Sequence, residues 1–116
     1  MSCRIHSDHN GEFQVFRLEG SDFSPSQQAE FRGTVQISLE LDGKSPVAID
    51  TTGLDLVGSC CLASIIEAAM TCHRLGVPAF LVEDRALVLD VFEVVSLRSI
   101  LPIHSTLDQA REALKG

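Results

Sequence analysis

Apolar residues recur along this chain with two periods, and each change of period marks an element boundary. The stretch "FQVFRL" alternates as a half-buried strand would, and polar "HSDHNG" before it holds Asn10-Gly11, a strong two-residue hairpin signal. Residues 3–7 and 12–18 are therefore expected to be paired strands. In "SPSQQAEF", Ser24 can N-cap a helix with Pro25 at its first position, and Gln27 three residues on completes a capping box.

The stretch "TVQISLEL" carries both periods. Val35, Ile37, Leu39 and Leu41 alternate, and Asp42-Gly43 could close a hairpin, whereas Phe31, Val35 and Leu39 fall at helical spacing. The capping signals upstream favour a helix over about 26–41 with Gly43 as its C-cap. A central strand over Thr34–Leu41 is the competing reading.

From Pro46 onward strands and helices alternate. "PVAIDT" reads as a strand, 59–75 as a helix stopped by Gly76, and "PAFLVE" as the next strand. An apolar helix "ALVLDVFEVVSL", a strand near "ILPIH" and a last helix opened by Thr106 with Gln109 complete the series. The runs Val47–Ile49 and Ala79–Val82 are uninterrupted, as in strands covered on both faces. This order predicts an α/β fold, with a mixed, mostly parallel sheet of about five strands and about four helices. Residues 1–116 are expected to form a single domain.

Charge narrows the partners. Nine Lys plus Arg against sixteen Asp plus Glu leave a net charge of −7, which repels nucleic acid and anionic lipid. With no Trp or Tyr and only six Phe, base stacking has little to work with. No apolar run approaches the roughly 18 residues of a membrane span, and "MSCRIHSDHNGE" lacks the order of a signal peptide. A cytoplasmic protein partner is expected, and the four cysteines are read as reduced thiols.

Adjacent Cys60 and Cys61 open the central helix. At 100° per residue, Cys61, Ile65, Ala68, Cys72 and Leu75 share one face, which reads as the core face. Cys60 falls to one side with Ser64, Glu67 and Thr71, and is expected to point to water. A metal site of Cys60, Cys61, Cys72 and His73 fails on distance, because twelve helical residues separate the pairs by about 18 Å. His6, His9, His73 and His104 are scattered, and neither metal nor cofactor is expected. Gly58-Ser59 stands where a nucleophile elbow would, but Cys61 replaces the second glycine. A cysteine nucleophile would need an orienting histidine, for which only His104 is placed. Catalysis is not expected.

The order of elements around "VAIDTTGLDLVGSCCLASI" resembles the STAS domain, named for sulfate transporters and anti-sigma-factor antagonists. Asp50, Thr51 and Leu54 stand where members end their central strand, and Gly58-Ser59-Cys60-Cys61-Leu62 replaces Asp-Ser-Ser-Gly-Leu at the helix start. "RLEGSD" resembles the family's Gly-x-x-Asp one residue short, with Gly20 and Asp22 as the matching positions. Leu75-Gly76-Val77 and the apolar helix around Phe92 also fit. The resemblance implies a non-enzymatic regulatory module that binds an anti-sigma factor or kinase-like regulator. Its partner surface would include Gly20, Asp22, Gly58, Ser59 and Cys60.

In such members the second Ser of the tetrapeptide is the phosphoacceptor. Cys60 occupies that position here, and a thiol is not a substrate for ordinary Ser/Thr kinases. The usual switch is therefore expected to be lost. Ser59 is read as the helix N-cap and as the residual phosphoacceptor. The alternative function is a thiol redox sensor at Cys60, favoured by a helix N-terminus and by exposure.

Overall fold

In the computed structural model, which describes residues 3–9, 12–21 and 23–115, a five-stranded sheet is ordered β1-β2-β3-β4-β5. The strands are β1 (Arg4–His9), β2 (Gln14–Gly20), β3 (Val47–Leu54), β4 (Ala79–Val82) and β5 (Ile103–His104). β1 pairs antiparallel with β2, and the other pairings are parallel. The expected α/β fold with a mixed, mostly parallel sheet is what forms. The Asn10-Gly11 turn lies outside the described residues.

Four helices follow the parallel logic: α1 (Pro25–Leu41), α2 (Ser59–Leu75), α3 (Ala86–Val94) and α4 (Leu107–Lys115), with a short 3-10 turn at Leu97–Ser99. α1 begins with the expected capping box. The Gln27 N–H donates to the Ser24 side chain at 3.4 Å, and the Ser24 N–H donates back to Gln27 Oε1 at 3.0 Å. The helix buries Phe31, Val35 and Leu39 and leaves Ile37 60% and Leu41 84% exposed, so the helical period prevails over the alternating one.

The end of α1 differs from expectation. Asp42, in extended backbone, is the C-cap, and its Oδ1 accepts from the N–H groups of Lys44 and Ser45, both at 3.0 Å. A carboxylate that gathers the outgoing amides makes a left-handed glycine unnecessary at Gly43. At α4, the Gln109 N–H donates to Thr106 Oγ1 at 3.1 Å, while its side chain accepts from Ser105 N rather than from Thr106.

Helices α1, α2 and α3 pack on one face of the sheet and α4 on the other. Successive β3 residues divide between the faces: Val47 and Ile49 join Phe16, Phe31, Cys61, Ile65 and Phe92, and Ala48 joins Phe13, Val15, Phe80 and Ala110. Both sides of β3 are thereby covered, as its uninterrupted apolar run requires.

Candidate functional site

The carboxyl ends of β2 and β3 and the start of α2 converge on one edge of the sheet, where an open α/β sheet forms its binding crevice. β2 ends at Gly20, whose φ of 114° lies in the region glycine favours. The Gly20 carbonyl accepts from Asp55 N at 2.8 Å, joining the loop after β2 to the loop after β3. The two strands approach closely just before this point. A Cβ on Gly53 would stand 2.8 Å from Glu19 Cγ and 3.0 Å from the Leu18 carbonyl oxygen, where the β2–β3 register shifts.

α2 starts one residue earlier than expected in its capping. Gly58 is the N-cap with no side-chain cap, and Ser59 is already the first helical residue, so Ser59 does not cap the helix. Gly58 has open space where a Cβ would be, so the acid of the family tetrapeptide would fit there. Ser59 is exposed and Cys60 is half-buried rather than fully turned to water. The cause lies in its flank. Ser64, expected on the solvent side, is 1% exposed, and Arg32 of α1 reaches across to Glu67 at 2.9 Å. α1 thus covers the side to which Cys60 belongs. Gly20, Gly58, Ser59 and Cys60 share this edge; Asp22 lies outside the described residues.

The core face of α2 holds Cys61, Ile65, Ala68 and Cys72 as expected, but Leu75 is 55% exposed at the helix end. Gly76 stops α2 with φ 72°. Burial pushes the Cys61 thiol up to about 12 and the Cys72 thiol to about 11, which suits packing and not chemistry. His104 is half-buried, and its ring sits edge-on to Phe80 at 5.9 Å, on the α4 face. α2 packs on the opposite face, so His104 is not placed to orient Cys60. His6 lies 3.4 Å from Glu19, His9 lies 2.7 Å from Asp42, and His73 is exposed. Among the described residues no three metal-ligating side chains come together.

Sequence reasoning missed an ionic cluster beside this edge. Glu83 follows β4 and is 1% exposed. Its Oε1 accepts from Thr51 Oγ1 at 2.7 Å and from Arg85 Nη2 at 2.9 Å. Its Oε2 accepts from Arg85 Nε at 2.9 Å and from the Asp84 and Arg85 N–H groups at 3.1 Å. Burial pushes this carboxyl up, but the hydrogen bonds from Arg85 and Thr51 outweigh it and hold it below the usual range. Arg85 Nη2 also donates to the Thr51 carbonyl at 2.7 Å, and its Nη1 to that of Leu54. The available signal was an acid closing an apolar strand with an arginine two residues on.

Four similarities bear on this arrangement. The chain is 35% identical over 109 residues to Rv2638 of Mycobacterium tuberculosis, assigned by inference as an anti-anti-sigma factor; the match covers 94% of this chain and 74% of that protein. The crystal structure of an anti-sigma factor antagonist from Mycobacterium paratuberculosis superposes with a TM-score of 0.79 at 15% identity, covering 98% of this chain and 95% of that one. Bacillus SpoIIAA in its phosphorylated form superposes with a TM-score of 0.72 at 12% identity, covering 96% and 99%. The STAS domain matches residues 5–110, with the Ser-Cys-Cys helix at its centre. The chain belongs to the STAS domain family.

Proposed function

We propose that this STAS domain, residues 1–116, is a cytoplasmic regulator that works by binding, not catalysis, and that its partner is an anti-sigma factor or kinase-like regulator. The similarity to Rv2638 supports the partner class. The observation that carries the site is the convergence of Gly20, Gly58, Ser59 and Cys60 on one sheet edge, bridged by the Asp55–Gly20 hydrogen bond. Asp22, outside the described residues, is included in the proposed partner surface on the sequence resemblance alone.

The usual phosphorylation switch is read as lost because Cys60 stands at the phosphoacceptor position. Ser59, exposed in the first turn, is the hydroxyl left for a kinase to reach. A phosphate at this turn would be favoured by the helix dipole yet would oppose docking by charge and desolvation. A partner captured from the cytoplasm and titrated against variants tests the surface. Cys60→Ser should bind as wild type, and Cys60→Asp should fold normally yet bind at least about tenfold more weakly. A folded Cys60→Asp protein with unchanged affinity would move the interface elsewhere.

A further inference from the structure

Between Asp55 and the first turn of α2 the chain has few fixings. Among the described residues, no N–H of Leu56, Val57 or Gly58 donates a backbone hydrogen bond, although the Val57 side chain is buried. Leu56, by contrast, is 66% exposed. Backbone hydrogen bonds therefore fix this segment at its ends, with the Val57 side chain anchored in the core between them. At the far end α2 begins, with Leu62 N donating to the Gly58 carbonyl at 3.0 Å. At the near end the chain leaving β3 is held from two directions, by the Gly20 carbonyl, which accepts from Asp55 N, and by Arg85 on the Thr51 and Leu54 carbonyls.

We propose that Arg85 is the positioning residue of the recognition edge, holding the 55–60 segment in its docking geometry. This rests on the binding surface proposed above, although the test below needs no partner. One guanidinium reaches the carbonyls of both Thr51 and Leu54, so it pins β3 three residues apart, immediately before the segment starts. Glu83 fixes that guanidinium in turn through two side-chain hydrogen bonds, at Nε and Nη2. The planar fork is what makes this possible, since all five donors lie in one rigid plane. A lysine could meet Glu83 but could not bridge the two carbonyls in the same plane. Arg85 is also the N-cap residue of α3, with Leu87 82% exposed just beyond it. The clamp thus ties the start of α3 to the loop before α2 and sets exposed Leu56 and Leu87 on linked elements.

Site-resolved alkylation with iodoacetamide at neutral pH, read by mass spectrometry, reports the geometry directly. Cys60 is half-buried in the first turn of α2, whereas Cys3, Cys61 and Cys72 are buried in the core. Cys72 therefore serves as an internal gauge of global opening. Arg85→Met leaves the Glu83 carboxylate unpaired and should raise global opening at Cys72, but local release of the segment should raise the Cys60 rate on the order of tenfold more than the Cys72 rate. Arg85→Lys should act in the same direction and carries the test if Arg85→Met does not fold. Cys60 and Cys72 accelerating by the same factor would reduce Arg85 to a general stabiliser and overturn the proposal, as would an unchanged Cys60 rate. Loss of partner binding plays no part in either outcome, so failure here is distinct from failure of the proposed function.

Discussion

Cys60 and Cys72 are the same residue type on the same helix, and their surroundings give them opposite tolerances. Cys72 is fully enclosed in the α2 core face, and burial pushes its thiol up to about 11. Cys72→Ser places a hydroxyl there with only a helix carbonyl one turn back to accept its proton, at a cost of about 1–3 kcal/mol. Cys60→Ser, at a half-buried first-turn position, should change stability by less than about 0.5 kcal/mol. Denaturant unfolding of the two variants decides it. Equal losses would contradict the burial of these side chains. Their division was readable from spacing alone, because 100° per residue separates adjacent side chains whatever the rest of the fold does. The half-burial of Cys60 was not readable, since it depends on where α1 lies against α2.

Element boundaries followed local chemistry where a cap involves near neighbours. Ser24 and Gln27 three residues apart specify the start of α1, and Gly76 specifies the end of α2, without reference to the rest of the chain. Ser59 misled because a hydroxyl at a helix start resembles a cap, while the backbone reaches helical angles one residue after Gly58. Gly43 misled because the Asp42 carboxylate does the capping instead. The uncapped start of α2 makes a prediction at this scale. Gly58 is extended and has open space beside it, so Gly58→Asp should supply the missing acceptor for a first-turn N–H. It should also place a negative charge at the positive end of the helix dipole. The gain should be a few tenths of a kcal/mol, raising the melting temperature by about 1–2 °C. A lower melting temperature would mean that an aspartate cannot take the N-cap position.

At the scale of the molecule, the mixed, mostly parallel sheet was legible because βα alternation leaves its mark in the sequence, and the proposed recognition edge rests on the mark left by the Ser-Cys-Cys helix. The Glu83 cluster was not, because its partners Thr51, Leu54 and Arg85 meet only once β3 and β4 lie side by side. That cluster predicts how stability responds to acid. Glu83 in the folded protein is held below its ordinary value of 4.5, so the native state binds fewer protons than the unfolded chain in the acid range. Its contribution is present at neutral pH and is lost as pH falls from about 5 through the folded value. Two other effects act at the same time. Asp42, held low by Ser45, His9 and Lys44, titrates in the same direction. Relief of the repulsion carried by a net charge of −7 works the opposite way. Comparing wild type with Glu83→Gln isolates the cluster, because both proteins share the other terms. The variant should be less stable at pH 7, since an amide cannot accept from all of these donors and leaves the Arg85 charge uncompensated. As pH falls below about 4.5 the wild type loses its advantage, and the two melting curves should converge. A gap that stays constant from pH 7 to pH 3 would mean that Glu83 does not titrate as a native carboxylate, and that the buried ion pair with Arg85 is not what holds this edge together.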